Sequence, residues 1–361
     1  MSAQPQPVPK YLGQIGEVRD AHRIDEARLA QFLGDTVADY QGPLQLRQFA
    51  GGQSNPTYLI GTPNRKYVLR RKPPGVLLKS AHAVDREFRV LRALFEQDFP
   101  VPEPLVLCED PDVLGTAFYV MRHIEGRLFL DNAMPDLTPS ERGAVYDSAN
   151  ETLARLHTLD HEAAGLGDFG RPGNYFARQV SRWSQQYEAS RTADIPAMDR
   201  LIAWLPTALP SEGQTRLIHG DYSFHNLLVH PTQPRVVGVL DWELSTTGDP
   251  IADLTYHAME WYRPAGSDAR GTLLGKDLAA LGIPSLEAYV ARYCEAVGRP
   301  PLENLGFYKA FNLFRVAAIV QGIVGRARDG TAAAAQADEQ ANRVAPIAEA
   351  AWAYAREAGA A

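Results

Sequence analysis

The strongest constraint on this chain is one polar run, His219-Gly220-Asp221-Tyr222-Ser223-Phe224-His225-Asn226, which ends in the apolar Leu227-Leu228-Val229. An acid and an amide held five residues apart by a loop have a joint chemical use. The carboxylate of Asp221 can accept the proton of an incoming hydroxyl, and the amide oxygen of Asn226 can coordinate a divalent cation. Gly220 permits the tight turn that aims both inward. Fifteen residues further on, the hydrophobic run Val236-Val237-Gly238-Val239-Leu240 delivers a second acid in Asp241-Trp242-Glu243. A carboxylate at a strand end is placed to hold Mg²⁺ with Asn226, and Glu243 is a candidate further ligand. Separately, an H-x-D is often a turn and a strand-ending Asp a helix cap. In this order, with β-type sequence between them, they read as a site for phosphoryl transfer to a hydroxyl, with Asp221 as base and Asn226 and Asp241 as metal ligands.

The flanking sequence divides to match. At 361 residues the chain exceeds the size at which a single core keeps growing, so two packed lobes are expected. Residues 1–20 read as a loose Pro- and Gln-rich arm, and Asp25 to Leu33 as a short helix. Leu44 to Phe49, Thr57 to Gly61 and Tyr67 to Arg71 are β-leaning runs separated by turn formers. Ser80 to Phe95 has helical spacing at Val84, Phe88 and Leu91, with Ser80 as cap. Further strands are expected at Leu105 to Glu109 and Phe118 to His123. From Thr138 onward the pattern is helical, interrupted between Thr215 and Asp249 and ending in an Ala-rich helix former, Thr331 to Glu357, broken at Pro346. The expectation is an α+β, two-lobed fold: a five-stranded antiparallel sheet with one helix in residues 1–124, which hold the arm and the nucleotide, and a larger helical lobe for catalysis and acceptor binding in 125–361.

The nucleotide lobe offers its own candidates. Gly51-Gly52-Gln53-Ser54 lies between two expected strands, where backbone freedom lets N–H groups approach phosphate, so Gly52 and Ser54 are candidate contacts. A cation on a strand should pair with a helix acid, Glu87, and Tyr67-Val68-Leu69-Arg70-Arg71-Lys72 supplies three cations. Alternation puts Arg70 and Lys72 on one face and Arg71 on the other. Backbone around Met121 to His123 is the candidate adenine contact. His157 reads as a bracing histidine, and Arg86, Arg89 and Arg92 as a basic stripe on a solvated helix face.

Taken together, HGDYSFHNLL, LDWE and Gly248-Asp249-Pro250-Ile251-Ala252-Asp253-Leu254 resemble the aminoglycoside phosphotransferase superfamily of the protein-kinase-like fold. The resemblance covers nearly the whole chain. It implies ATP and Mg²⁺ as cofactors, Asp221 as base, Asn226 and Asp241 on the metal, and Asp253 as support of the loop. Arg70 takes the position of the usual Lys, and Glu243 stands where protein kinases place a Gly. Gly51 to Tyr58, Val68 to Gly75 and Ser80 to Glu87 look closest to the kinase domain fused to acyl-CoA dehydrogenases and to free-standing bacterial relatives. That likeness implies a hydroxyacyl-CoA as acceptor, such as a 4-hydroxyacyl-CoA. The alternatives are an aminoglycoside kinase and a non-catalytic nucleotide-binding pseudokinase.

Composition adds exclusions. A formal charge of −7 gives no general attraction to nucleic acid or anionic membranes, so the expected partner is a small hydroxylated acceptor. Only Cys108 and Cys294 are present, which fits inert core thiols and a reducing compartment. The first residues lack the pattern of a secretory signal and no 18-residue apolar run is evident, so a cytoplasmic protein is expected.

Overall fold

The computed structural model describes residues 14–50, 55–73, 83–267, 270–328 and 337–361. Gly52, Ser54 and the Ser80 cap lie outside them. The chain forms two compact units, each assembled from separate stretches. One takes the chain through Leu130 with Asp160–Asp168 and Ser223–Ser245. The other takes Asp131–Leu159, Phe169–Tyr222 and the remainder from Thr246.

The first unit is built on strands β1 (Ile15–Gly16), β2 (Gln45–Phe49), β3 (Thr57–Gly61), β4 (Lys66–Arg71), β5 (Pro104–Cys108) and β6 (Phe118–Arg122). They form one antiparallel sheet in the order β1-β2-β3-β4-β6-β5. Five strands fall within about a residue of the sequence reading, because alternation bounded by Gly and Pro is a strong local signal. The sixth, β1, corrects the expected loose arm: Ile15 and Gly16 pair with Phe49 and Gln48. Helix α1 (Glu26–Thr36) is capped by Asp25, whose carboxylate accepts from the amides of Ala27 and Arg28. Leu29 and Leu33 of α1 pack on Tyr58, Ile60, Tyr67, Leu69, Phe118 and Val120. Odd positions of β4 therefore face α1, and the even positions Val68 and Arg70 face the other way.

Helix α2 (Val84–Phe95) buries Val84, Glu87, Val90, Leu91 and Leu94 and packs along β5 and β6. Cys108 is buried in the sheet core. The one-turn α3 (Pro111–Leu114) closes the β5–β6 connection.

Four short strands follow: β7 (Arg216–Ile218), β8 (Leu227–Val229), β9 (Val236–Val239) and β10 (Thr246–Gly248). β8 and β9 form a hairpin in the first unit; β7 and β10 pair in the second.

The second unit is otherwise helical: α4 (Pro139–Thr158), α5 (Tyr175–Ser190), α6 (Pro196–Trp204), α7 (Ile251–His257), α8 (Leu278–Leu281), α9 (Leu286–Ala296), α10 (Leu305–Arg328) and α11 (Ala337–Glu357). A capping box at Thr138 and Glu141 starts α4. α10 is the core helix, packed by α5, α7 and α11. It is long and apolar enough to cross a membrane, contrary to the sequence reading, and most of it is buried inside the unit. α11 also departs from expectation, since it runs through Pro346 without a break. Val344, Ile347, Ala348, Ala351 and Ala355 are buried along it, and that apolar face offsets the hydrogen bond a proline cannot make.

Candidate active site

In the first unit the site is organised around Arg70. Its side chain leaves β4 on the face toward α2, where Nη1 lies 3.0 Å from Oε1 of Glu87. Nη1 and Nη2 both lie 3.1 Å from Oδ1 of Asp241, and Nη2 is 3.7 Å from Glu243. Tyr119 stands directly opposite Arg70 on β6, where burial and then the Glu87 charge push its phenol well above the ordinary range. Burial pushes Glu87 up to about 7, against the lowering pull of Arg70 and with the neighbouring Asp241 and Glu243 carboxylates adding to the rise. Burial also opposes the Arg70 charge, but Glu87, Tyr119, Asp241 and Glu243 outweigh it and hold the guanidinium protonated.

The choice between Arg70 and Lys72 is thereby decided in geometry. Arg70 meets Glu87, whereas Lys72 lies 3.6 Å from Asp85 at the start of α2. Arg71 points to the other face and donates to the Thr116 hydroxyl.

Asn226 and Asp241 are brought together by the β8–β9 hairpin. Asn226 closes a 3₁₀ turn just before β8, and its carbonyl accepts from the amide of Leu240 at 2.8 Å. Asp241 follows at the end of β9 with φ of 64°, a left-handed conformation uncommon outside glycine and concentrated at functional positions. An amide and a carboxylate are hard oxygen donors, and the Arg70 contacts fall on Oδ1, so this pair suits Mg²⁺. Among the described residues no three His, Cys, Asp or Glu side chains gather around a metal position. A cation here would rest on these two ligands and on phosphate oxygens. Among the remaining nucleotide-lobe candidates, Met121 is buried in β6 opposite Val68, and the His123 amide donates to the Lys66 carbonyl at 3.3 Å.

The Arg86, Arg89 and Arg92 stripe does not form one anion surface. Arg89 pairs with Asp168 and the Gly165 carbonyl, and Arg92 pairs with Glu96.

In the second unit the His219-Gly220-Asp221 segment is tied to α7. The Asp253 carboxylate accepts from the amides of His219 at 2.5 Å and Gly220 at 2.8 Å. Gly220 has φ of 84°, so the turn there requires glycine. Burial opposes ionisation of Asp253, yet His157 and the loop amides more than compensate and hold it below the usual carboxylate range. His157 is buried between Tyr293, at 2.6 Å from its hydroxyl, and Asp253, at 3.4 Å, which is a bracing role. His219 is fully buried, and its Nδ1 accepts from the Asp221 amide at 3.2 Å.

Two residues around Asp221 carried no motif. Tyr256 of α7 has its ring under the Arg315 guanidinium at 4.8 Å, and burial, followed by the neighbouring Asp221 charge, pushes its phenol well above the ordinary range. Arg315 of α10 donates to the Gly220 carbonyl at 3.1 Å. The signal for Tyr256 was its spacing, three residues after Asp253 on one helix face.

Against known proteins, the profile of the phosphotransferase enzyme family matches residues 45–300. The chain belongs to that family. It is a family of phosphotransferase enzymes. Acyl-CoA dehydrogenase family member 10 of Mus musculus is 44% identical over 354 residues, which are 97% of this chain and 33% of that protein. Acyl-CoA dehydrogenase family member 11 of Gallus gallus is 44% identical over 340 residues, 92% of this chain and 44% of that protein. The chain thus spans less than half the length of these curated relatives. A crystal structure of a protein assigned as an aminoglycoside phosphotransferase from Ralstonia eutropha superposes with a TM-score of 0.85 at 46% identity, over 93% of this chain and 99% of that one. Aminoglycoside phosphotransferase APH(4)-Ia in complex with ADP and hygromycin B superposes at 0.57 with 17% identity, over 93% and 99% of the two chains, which shows the shared kinase-like fold.

Proposed function

We propose that this family member transfers the γ-phosphoryl group of ATP to the hydroxyl of an anionic metabolite, a hydroxyacyl-CoA such as a 4-hydroxyacyl-CoA. The observation that carries this choice of acceptor is the charge beside Asp221. Among the described residues Arg315 makes no ion pair with a carboxylate; it lies 4.8 Å from the Tyr256 ring centroid and 5.6 Å from that of Trp183. Arg182 lies over the same Trp183 ring at 5.2 Å. A polycationic aminoglycoside needs carboxylates at its acceptor site, whereas a thioester of coenzyme A gains from arginine. The names of the relatives, which are acyl-CoA dehydrogenase family members, support the same class.

In this reading the acceptor hydroxyl donates to Asp221. Its oxygen forms a bond to the γ-phosphorus as the bond to the β–γ bridging oxygen breaks, the proton passes to the Asp221 carboxylate, and ADP leaves. Asn226 and Asp241 would hold Mg²⁺, which would neutralise phosphate charge there. Arg70, fixed by Glu87, faces Asp241 from β4 and is placed to bind phosphate oxygens in the role usually taken by lysine. Backbone near Met121 and His123 would meet adenine. Positioning and charge neutralisation supply most of the acceleration.

The test is ATP consumption with Mg²⁺ by the purified chain, comparing 4-hydroxyacyl-CoA esters with aminoglycosides and using Asp221→Asn as control. Turnover on the esters alone supports the proposal. Turnover on aminoglycosides alone overturns the acceptor, and tight ATP binding without turnover on any acceptor favours a pseudokinase.

A further inference from the structure

The second unit carries a cavity of about 700 Å³, bounded by the end of α9, the start of α7 and the residues that lead into β7. Its size suits a small organic ligand. His157 and Tyr293, both buried, contribute to its wall, and Leu302, Pro250 and Tyr308 add apolar and aromatic surface. The connection from α9 to α10 closes one side with a fixed backbone. Gly298, at φ of 67°, turns the chain, and the amides of Gly298 and Arg299 donate to the carbonyls of Glu295 and Cys294 at 3.1 and 2.9 Å. Pro300 and Pro301 then restrict the next two residues. A wall already in shape spares a ligand the cost of ordering it.

Two half-buried guanidinium groups line this cavity, Arg216 of β7 and Arg299. Among the described residues neither pairs with a carboxylate: Arg216 donates to Gln214 Oε1 at 2.6 Å and to the Thr215 carbonyl at 3.5 Å, and Arg299 makes no side-chain hydrogen bond. Of the two acids at the cavity, Asp249 is engaged, its Oδ1 accepting from the Ile251 amide at 2.9 Å, and Glu303 is exposed to water. Arginines without a counter-ion, beside tyrosine and proline surface, fit an organic anion with an apolar or aromatic body.

One chain of hydrogen bonds runs from the cavity wall to the segment that carries Asp221. The Tyr293 hydroxyl lies 2.6 Å from Nδ1 of His157, and Nε2 of His157 lies 3.4 Å from Asp253. The Asp253 carboxylate in turn accepts from the amides of His219 and Gly220. All these side chains are buried, so water cannot replace a contact that shifts, and a change at Tyr293 is felt at the loop.

We propose that this cavity is a second ligand site, which takes an organic anion with an apolar body on Arg216 and Arg299, and that its occupancy stiffens the His219-Gly220-Asp221 segment through Tyr293, His157 and Asp253. The catalytic consequence of that stiffening rests on the reading of Asp221 as the base; binding and stiffening do not.

The probe is 8-anilinonaphthalene-1-sulfonate, titrated by fluorescence into the full chain in the presence of saturating Mg²⁺ and AMP-PNP. One saturable site is expected, weakened at least about tenfold by Arg299→Glu and partly restored in Arg299→Lys. Leu302→Trp, which fills the cavity and leaves both arginines, should abolish it independently. The uncharged N-phenyl-1-naphthylamine should bind at least about tenfold more weakly than the sulfonate. The absence of a saturable site, binding that survives Arg299→Glu and Leu302→Trp, or equal affinity for the uncharged dye overturns the site. Hydrogen exchange of the His219 and Gly220 amides should slow about fivefold when the sulfonate is bound, and Tyr293→Phe should remove that slowing while the dye still binds. No slowing, or slowing that persists in Tyr293→Phe, overturns the coupling. If the chain transfers nothing to a 4-hydroxyacyl-CoA, the acceptor reading has failed, and the dye titration and the exchange still decide this proposal.

Discussion

Both terminal nitrogens of Arg70 lie 3.1 Å from a single oxygen of Asp241, although 171 residues separate the two in sequence. The same guanidinium holds Glu87, whose side chain is 1% exposed. Arg70 therefore links the sheet, α2 and the end of the β8–β9 hairpin through one planar group, a geometry that an ammonium would not reproduce.

Removing that link strands a buried acid. Arg70→Ala should destabilise the chain by about 3–5 kcal/mol, because Glu87 loses its cation where water cannot replace it. Urea unfolding of the variant checks this, and Glu87→Gln in the same background should recover part of the loss.

Asp221→Asn should lower turnover by roughly 10²- to 10⁴-fold while ATP affinity stays within a factor of two. Steady-state rates and calorimetric ATP titration read the two quantities separately. Unchanged turnover would falsify the assignment of the base.

Asp253 is held ionised below the usual carboxylate range by His157 and two loop amides, after overcoming its burial. Its stabilising effect is therefore complete above its ordinary value of 3.8 and is lost as pH falls below that. Asp253→Asn should cost about 2 kcal/mol near neutral pH, where the charge-assisted hydrogen bonds operate, and progressively less in acid. Chemical denaturation across that pH range reads the convergence.

His257 gives a second acid sensitivity, at higher pH. Burial brings its imidazole down to about 3, so the folded chain stays unprotonated there long after the unfolded chain has gained a proton near 6.5. Stability should decline as pH drops through that interval and be unaffected by this group above it. His257→Phe, which keeps a ring beside Tyr222 and Tyr289, should flatten the decline. Thermal melts at successive pH values measure the slope.

Pro346 sits inside α11, where it withholds one amide from the helix. Pro346→Ala should raise stability by about 1–3 kcal/mol, and an unchanged or lowered melting temperature would show that the proline ring has packing value of its own.

Local pattern explains what the sequence made legible. Strands β2 to β6 are short runs rich in aliphatic and aromatic residues, most of them bounded by turn formers, so composition and punctuation located them. β1 is two residues long and has no period to read; it exists only because Phe49 and Gln48 offer it an edge. The motif residues Asp221, Asn226 and Asp241 stood out because their chemistry and spacing coincide. Which cation met Glu87 could not be read, since Arg70 and Lys72 share a face and only the path of α2 separates them. Arg315 escaped notice for a related reason: it reaches the Gly220 carbonyl from a helix 95 residues away, and nothing in its local sequence marks an arginine as anything but packing.

The assembly of each unit from separate stretches bears on how the chain is made. Synthesis delivers the six-stranded sheet early, but the β8–β9 hairpin of the same unit arrives only with residues Ser223–Ser245. A nascent chain paused after Leu130 has therefore completed neither its compact unit nor the partner for Arg70. Cutting the gene at that point would yield a fragment in which Arg70 keeps Glu87 but lacks Asp241 and Glu243, so excising the sheet as a portable nucleotide-binding module would require grafting the hairpin back onto it.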